Sequence, residues 1–290
     1  MLSYRHGYHA GNHADVLKHL VLTRLLTYLA RKDQPLCYIE SHAGPGLYRL
    51  DSPQAQQNLE YVGGIGRIWD RRDLPAAIEA YLGLVRALNP DGNLRHYPGS
   101  PWIARQLLRP VDRLVLHELH SSEIGPLRDN FAGDRRVQVI EGDGYRGLVA
   151  ALPPRERRGL VLLDPAYEVK SDYRQVAETL ALAHRRFATG VYVLWYPVVE
   201  GGRRDDLERA IARSGIPRIQ RYELGVRPAG QGPGMGTSGL MVVNAPWVLM
   251  DELRPALAYL ADVLGELGAG HFKAEEMIGT SPADQPRSTR

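Results

Sequence analysis

The sequence is short of cysteine and of long apolar runs. Its single cysteine, Cys37, cannot form a disulfide within the chain, which suits a reducing cytoplasm. Cys37 lies in an apolar run, which favours a core residue over a nucleophile. No stretch approaches the roughly 20 apolar residues of a membrane span, and residues 1–6 lack the apolar segment of a secretion signal. We therefore expect a cytoplasmic protein that does not associate with membranes.

A large excess of charge is also lacking. The 36 Lys and Arg residues against 33 Asp and Glu leave a net charge of +3, which is a weak indication of a polyanionic partner. The arginines are unevenly placed, because many occur in pairs. Such pairs are most often solvated surface, and nucleic-acid binding is the alternative they leave open. The pairs are Arg71-Arg72, Arg135-Arg136, Arg157-Arg158, Arg185-Arg186 and Arg203-Arg204.

Two common site motifs are missing. The first glycine turn, Gly44-Pro45-Gly46, has no third glycine in register, so a nicotinamide-binding fingerprint is excluded. The stretch His117–His120 is one residue shorter than a helical zinc motif and leaves a strand. His6, His9 and His13 have no cysteine or carboxylate at matching spacing. We therefore expect no metal.

What is present is an alternation of short apolar runs and helical patterns, which predicts a mostly parallel α/β sheet. Two late strands joined only by a loop indicate an antiparallel hairpin at one edge. Ser100 suits the N-cap of a helix through 102–108. We predict a core of residues 1–50 and 99–272, a helical insertion at 51–98 and a disordered polar tail at 273–290. The predicted strands are 36–40, 114–118, 137–140, 160–163, 191–196, 218–226 and 239–243.

Acidic residues follow four successive predicted strands. Glu40, Glu118, Asp143 and Asp164 each stand at or just past a strand end. The carboxyl ends of parallel strands meet at one crevice, where open α/β sheets bind ligands. Four carboxylates there would repel phosphate and accept hydrogen bonds from ribose hydroxyls or amines. S-adenosylmethionine, a cationic nucleoside without phosphates, fits this pattern. For any single acidic residue, a helix cap or a surface charge is the commoner explanation.

The stretch Asp164-Pro165-Ala166-Tyr167 follows the apolar run 160–163 directly. Methyl transfer to an exocyclic amine requires the nitrogen lone pair to point at the methyl group. Two acceptors for the amine hydrogens, the carboxylate of Asp164 and the carbonyl of Pro165, would favour that geometry. Tyr167 could stack on an extruded base. A strand followed by a simple turn, with Tyr167 half-buried, explains these four residues equally well.

Several stretches together carry a resemblance to a known family. Asp164–Tyr167 resembles the Asp-Pro-Pro-Tyr motif of amino methyltransferases, and the chain resembles the RlmJ family of bacterial 23S ribosomal RNA (adenine-N6)-methyltransferases over about residues 1–250. The long N-terminal block is the most specific part. The stretches that carry the resemblance are 1–6, 9–19, 42–44, 97–101, 187–190 and 194–199.

The resemblance implies a Rossmann-like methyltransferase with a small helical insertion, acting as a monomer on 23S rRNA with S-adenosylmethionine. Asp164, with Pro165 and Tyr167, would be catalytic. Tyr4, His6 and Lys18 would bind the substrate, with residues 1–13 closing over the site. The residues implied for the cofactor are Lys18, His19, His42, Ser100, Glu118, Asp143, Gly144 and Asp164.

The sequence departs from the family motif at Ala166, where a second proline is usual. The acceptor carbonyl belongs to Pro165, so we expect activity to persist with a less rigid loop. A DNA adenine methyltransferase shares this chemistry, but no separate target-recognition domain is evident. A non-catalytic RNA-binding protein with the same fold is the alternative from another class, and Asp164 argues against it.

Overall fold

A central sheet organises the chain. A computed structural model of the protein describes residues 4–169, 171–199, 202–228 and 234–277. Within them, eight strands form one sheet in the order β10-β8-β9-β7-β6-β1-β4-β5, and β2 pairs with β3 in a separate ribbon. The strands are β1 (Cys37–Glu40), β2 (Leu47–Arg49), β3 (His96–Pro98), β4 (Arg113–Glu118), β5 (Val137–Glu141), β6 (Gly159–Leu163), β7 (Val191–Val198), β8 (Ile219–Gly225), β9 (Thr237–Val243) and β10 (His271–Met277).

The strands β5, β4, β1, β6 and β7 run parallel, as the sequence predicts, and β9 turns antiparallel to β7. Successive side chains of a strand point to opposite faces. Tyr38 therefore joins the apolar cluster on one face, whereas Cys37 and Ile39 join the cluster on the other. Both faces are covered, which explains why β6 is apolar throughout and β1 is apolar up to Glu40.

Helices connect the strands and cover both faces. Asn12 caps the first of them by accepting a hydrogen bond from Asp15 N. Ser100 does not cap its helix: it is the first helical residue, and its hydroxyl bonds elsewhere. The helices are α1 (His13–Leu29), α2 (Pro53–Asn58), α3 (Glu60–Gly63), α4 (Ile65–Ile68), α5 (Ala76–Ala87), α6 (Ser100–Leu107), α7 (Ser121–Asn130), α8 (Gly144–Ala150), α9 (Ser171–Arg186), α10 (Arg203–Arg213) and α11 (Leu249–Leu264).

The predicted insertion at 51–98 contains α2 to α5 and ends in β3. Its first helices contact the N-terminal segment: Ile65 N donates to Gly11 O at 2.9 Å. A Cβ added at Gly64 would lie 2.1 Å from Gly11 O, so only glycine permits this approach. The division of the chain into a core and an insertion subdomain stays a prediction.

The far edge of the sheet differs from the prediction. The predicted hairpin exists as β8 and β9, but β10 pairs antiparallel with β8 and forms the edge. Residues 273–277, assigned to a disordered tail, therefore belong to the sheet. Their sequence is polar because an edge strand is largely exposed, with Ala274 alone among them buried. The rest of that tail, 278–290, lies outside the described residues, as do residues 1–3 of the N-terminal block.

Among the described residues, no helix combines the length and the apolarity that crossing a membrane requires.

Candidate active site

A cavity of about 940 Å³ opens at the carboxyl ends of the parallel strands. Side chains from α1, from the loops after β1, β4 and β6, and from the N-terminal segment line it. Most of the predicted site residues border this cavity, although they are scattered over the sequence. They are Tyr4, His6, Lys18, His19, His42, Ser100, Glu118, Asp164, Pro165 and Tyr167.

Asp164 follows β6 directly, and its side chain is 15% exposed. Its Oδ2 accepts a hydrogen bond from Lys18 Nζ at 2.7 Å. Its Oδ1 makes no hydrogen bond within the part of the chain that the structure describes. The carboxylate therefore presents one occupied and one available acceptor beside Pro165, at the wall of the cavity.

Lys18 lies one turn into α1 and is 5% exposed. Its Nζ also lies 3.0 Å from Asp15 Oδ1. Burial alone would lower the pKa of Lys18, but the carboxylates of Asp15 and Asp164 outweigh it and hold the pKa above its usual value. The ammonium therefore stays charged and offsets the negative charge of both carboxylates.

Asp15 connects this ammonium to the N-terminal segment. Its Oδ2 accepts from Gly11 N and contacts His6 Nε2, both at 2.9 Å. Burial opposes ionisation of Asp15, yet its neighbours His6 and Lys18 hold its pKa well below the usual value. The same carboxylate therefore fixes the lysine and the turn that precedes α1.

The N-terminal segment lies across the mouth of the cavity. The hydroxyl of Tyr4 contacts His6 Nδ1 at 2.8 Å, and the Tyr4 ring stacks on His9 with centroids 5.5 Å apart. His9 Nδ1 in turn contacts Glu60 Oε1 at 2.8 Å. Tyr4 N donates to Glu168, four residues after Asp164. The segment is thus bound to the insertion on one side and to the loop after β6 on the other.

His19 and Ser100 lie on the inner wall. His19 Nδ1 contacts Tyr97 OH at 2.8 Å, while its Nε2 is buried and has no hydrogen-bond partner among the described residues. Burial lowers the pKa of His19 to about 3, so the ring is neutral. Ser100 Oγ donates to Glu40 Oε1. An unpartnered buried nitrogen at a cavity wall is a position for a ligand atom.

The four strand-end carboxylates do not share one environment, contrary to the expectation that all line the crevice. Glu118 and Asp164 border the cavity, but Glu40 is fully buried behind Ser100, and Tyr38 donates to its other oxygen. Burial raises the pKa of Glu40 to about 8. Asp143 lies outside the cavity lining and caps α8, accepting from Tyr145 N at 2.9 Å.

Glu118 and His42 line the cavity beside the glycine turn, whereas Gly144 lies outside the lining. Glu118 accepts from Gly44 N at 2.7 Å and from His120 N at 2.6 Å, which fixes the turn after β1. Burial lowers the pKa of His42 to about 4, so this ring is also neutral. A Cβ at Gly144 would lie 1.7 Å from Ser41 O. Glycine is therefore required where α8 meets the end of β1.

Tyr167 is only 9% exposed. Its backbone is left-handed, with φ of 53°, and its hydroxyl donates to Trp195 O at 2.7 Å. The ring packs against Tyr173 with centroids 4.5 Å apart. Tyr167 is therefore a rigid aromatic part of the cavity wall.

The site can now be compared with known proteins. A family model described as "Ribosomal RNA large subunit methyltransferase D, RlmJ" matches residues 33–278. The chain belongs to this family. The resemblance to the RlmJ family drawn from the sequence is thereby confirmed.

Relatives of the RlmJ family match nearly the full chain. Ribosomal RNA large subunit methyltransferase J of Escherichia coli (strain K12) is 48% identical over 271 residues, which are 93% of this chain and 97% of the relative. The protein of the same name from Haemophilus influenzae is 45% identical over 276 residues, 95% of this chain and 98% of the relative.

Solved structures agree with the fold. A crystal structure of a Legionella pneumophila protein superposes with a TM-score of 0.86 at 38% identity, covering 92% of this chain and 98% of that one. A probable spermidine synthase from Corynebacterium glutamicum reaches a TM-score of 0.51 at 15% identity, covering 90% and 75%, and shares the fold alone. The predicted Rossmann-like class is confirmed.

Asp15 is the site residue that the sequence did not reveal. It stands inside the RlmJ-like block 9–19 and lies in the first turn of α1, where an acidic residue commonly does no more than offset the helix dipole. The spacing of Asp15 and Lys18, one turn apart on a helix of apolar surroundings, was the available signal. Within the described ranges, no group of histidine, cysteine and acidic residues could hold a metal; His6 and His9 contact Asp15 and Glu60 instead.

Proposed function

We propose that the chain transfers the methyl group of S-adenosylmethionine to the exocyclic N6 of a specific adenine in 23S rRNA. The observation that carries the proposal is the position of Asp164 and Pro165: both follow β6 at the cavity, with Asp164 held by Lys18 at 2.7 Å. The relatives' names, which specify methylation of large-subunit ribosomal RNA, support the same conclusion.

The cavity suits S-adenosylmethionine, which when bound supplies a methyl group activated by a sulfonium. His19 Nε2 and Trp195 Nε1 are buried at the cavity wall without hydrogen-bond partners in the described part of the chain. The indole Nε1 of Trp195 can donate to a polar group of the amino acid or the ribose, and the neutral His19 Nε2 can donate or accept according to its tautomer. Carboxylates at the strand ends suit its cationic, phosphate-free character. The residues proposed to hold it are Lys18, His19, His42, Ser100, Glu118, Asp143, Gly144 and Asp164.

Asp164 and Pro165 would act on the amine of the target base. The available Oδ1 of Asp164 and the carbonyl of Pro165 each accept one amine hydrogen. Holding both hydrogens turns the nitrogen lone pair out of conjugation with the purine ring and stabilises the positive charge that develops on nitrogen. Lys18 holds Asp164 in place through its hydrogen bond at 2.7 Å, so the carboxylate needs no reorganisation when the base arrives.

The aromatic side chains at the cavity suit a flat base. Tyr167 and Tyr173 border the cavity from the loop and from α9, and Tyr4 and His6 border it from the N-terminal segment. A base taken out of its stack regains stacking energy on such rings. The segment 1–13, of which residues 4–13 are described, would thus close over the bound nucleotide. Ala166 leaves the two acceptors intact, and we expect the wild-type chain to be active.

The test measures transfer of labelled methyl from S-adenosylmethionine to unmodified 23S rRNA, comparing wild type with Asp164→Ala and Asp164→Asn. We expect label on an adenine N6 with wild type and a kcat lower by roughly 10²–10³-fold with Asp164→Ala. Asp164→Asn is the size-matched control, in which an amide replaces the carboxylate. A thermal shift with the cofactor in all three proteins would show that binding is retained.

Two results would contradict the proposal. Equal label with wild type and Asp164→Ala would remove Asp164 from the chemistry. Cofactor binding with label on duplex DNA, and none on the rRNA, would identify a DNA methyltransferase instead.

A further inference from the structure

A second charged region lies at the ends of the strands opposite to those that carry Asp164. We define the amino-end face by seven segments next to the amino ends of β1, β4, β5, β6, β7 and β8 and the carboxyl end of the antiparallel β9. Ile219 of β8 and Tyr192 of β7 both pair with Val243 of β9, so the amino ends of β7 and β8 lie beside the carboxyl end of β9. The segments are 31–36, 109–113, 133–136, 153–158, 185–190, 213–218 and 244–248.

The amino-end face concentrates the positive charge of the chain. Its segments contain thirteen Lys and Arg residues against four Asp and Glu residues, a net charge of +9. The whole chain carries +3, so the remaining residues together carry −6. The cations are Arg31, Lys32, Arg109, Arg113, Arg135, Arg136, Arg155, Arg157, Arg158, Arg185, Arg186, Arg213 and Arg218.

The segments contact one another and form a continuous surface. Arg109 Nη1 donates to Lys32 O at 2.6 Å, and Arg158 Nη2 donates to Leu29 O at 2.8 Å, where α1 ends. Arg186 Nε donates to Leu152 O at 3.0 Å. On the other side of β7, Asn244 N donates to the carbonyl that precedes β8. The cations therefore belong to a single face.

The acidic residues of this face neutralise only part of its positive charge. Asp112 pairs with Arg109, Asp134 with Arg136, and Glu156 with Arg113 and Arg155. Asp33 is exposed and has no cation within 4.0 Å in the described ranges. The remaining cations likewise have no carboxylate within 4.0 Å there. The exposed members of this group are Arg31, Lys32, Arg135, Arg157, Arg185, Arg186, Arg213 and Arg218.

Unneutralised like charges on one face cost free energy in the folded chain unless a polyanion binds there. Twelve of the thirteen cations are arginines, whose planar guanidinium matches phosphate with two hydrogen bonds. Trp247, 78% exposed, stands on the same edge and offers a ring for stacking. Arginines interspersed with an exposed aromatic favour RNA over an acidic protein or a lipid surface.

We propose that the amino-end face binds the phosphate backbone of the rRNA substrate, on a part of the RNA other than the one that enters the cavity. Arg158 and Asp164 flank the five residues of β6, so their Cα atoms are about 20 Å apart. An RNA that contacts both must therefore reach around the edge of the sheet, and a short hairpin filling the cavity does not. This inference rests on the proposed function for the identity of the RNA.

The test uses the full chain with four exposed arginines changed together to glutamine: Arg157→Gln, Arg185→Gln, Arg213→Gln and Arg218→Gln. None of these side chains makes a hydrogen bond or ion pair within the described residues, so folding should be unaffected. The control makes the same charge change elsewhere, with Arg49→Gln, Arg72→Gln, Arg95→Gln and Arg128→Gln. Arg49, Arg95 and Arg128 form exposed ion pairs, whose loss should cost little stability. Binding to a long 23S rRNA fragment and to a short hairpin carrying the target adenine is measured between about 50 and 200 mM KCl.

We expect the face variant to bind the long fragment at least about tenfold more weakly, with a salt dependence shallower by about 3 units of log Kobs per log salt. Its affinity for the hairpin and its kcat on the hairpin should match wild type. The control should behave as wild type with both RNAs. Fluorescence quenching by the long fragment should fall in Trp247→Phe.

Three outcomes overturn the inference: an unchanged affinity and salt slope, an equal loss in the control, or an equal loss for both RNAs. Binding to anionic lipid vesicles that depends on the four arginines, without any effect on RNA, also overturns it. Because binding is measured without methyl transfer, failure of the proposed function would appear separately, as absent methylation with RNA binding intact.

Discussion

At the carboxyl ends of the strands, beside the cavity, Lys18, Asp15 and Asp164 are largely buried and paired, whereas the charged side chains at the amino ends are mostly exposed and unpaired. Lys18 Nζ lies 2.7 Å from Asp164 Oδ2 and 3.0 Å from Asp15 Oδ1. The amino-end face instead leaves eight exposed cations without a carboxylate partner in the described ranges. Buried, paired charges fix the positions of side chains, as a reaction site requires. Exposed, unpaired charges instead attract a partner of opposite charge through their long-range electric field.

The largest effect is expected when the buried ion pairs at the carboxyl ends of the strands are broken. Asp15→Ala removes the carboxylate that holds Lys18, His6 and Gly11 N, so it should lower the free energy of unfolding by about 3–5 kcal/mol. Urea denaturation at neutral pH measures this. Arg157→Gln, the counterpart at the amino-end face, should stay within about 0.5 kcal/mol of wild type. Similar losses of unfolding free energy in the two variants would show that charged residues at the two ends of the strands contribute equally to stability.

A second prediction concerns packing at the same edge. Gly144→Ala places a Cβ 1.7 Å from Ser41 O, and the backbone shift that follows should cost about 1–3 kcal/mol. Thermal unfolding detects the loss. Gly125→Ala in α7, where a Cβ meets nothing within 4 Å, should instead stabilise the chain by about 0.5–1 kcal/mol. If Gly125→Ala also lowered the melting temperature, the clash with Ser41 O would not be the cause of the loss in Gly144→Ala.

The smallest expected effect depends on pH. Burial raises the pKa of Glu40 to about 8 in the folded chain, so the folded state binds a proton more tightly than the unfolded state between that value and about 4.5. Its contribution is full below the unfolded pKa and is lost as pH rises through 8. Between pH 6.5 and 8, wild type should therefore lose about 1 kcal/mol per pH unit more than Glu40→Gln. Parallel pH profiles of the two proteins would refute this.

The parallel core and the position of Asp164 at a strand end could be predicted from the sequence, because an apolar run ending in Asp-Pro marks where a buried strand stops. The strand β10 was not predictable in this way, since an edge strand with one exposed face reads as polar loop. Asp143 and Glu40 were correctly placed at strand ends, yet their surroundings depend on contacts with Tyr145 N and Ser100 that no local pattern encodes. The role of Asp15 was not predicted for the same reason: it holds Lys18, and Lys18 pairs with Asp164, which lies 146 residues further along the chain.

The approach of Gly64 to Gly11 has a practical consequence for building chimeras within the family. The insertion contacts the N-terminal segment through the Gly11 carbonyl and through Glu60, which contacts His9 and Asn12. In a chimera, an insertion taken from another family member would face a turn of different sequence, and these contacts would be lost. Residues up to Asn12 and the stretch around 60–65 should therefore be exchanged together, because recombination between them would leave the N-terminal segment without its contacts to the insertion.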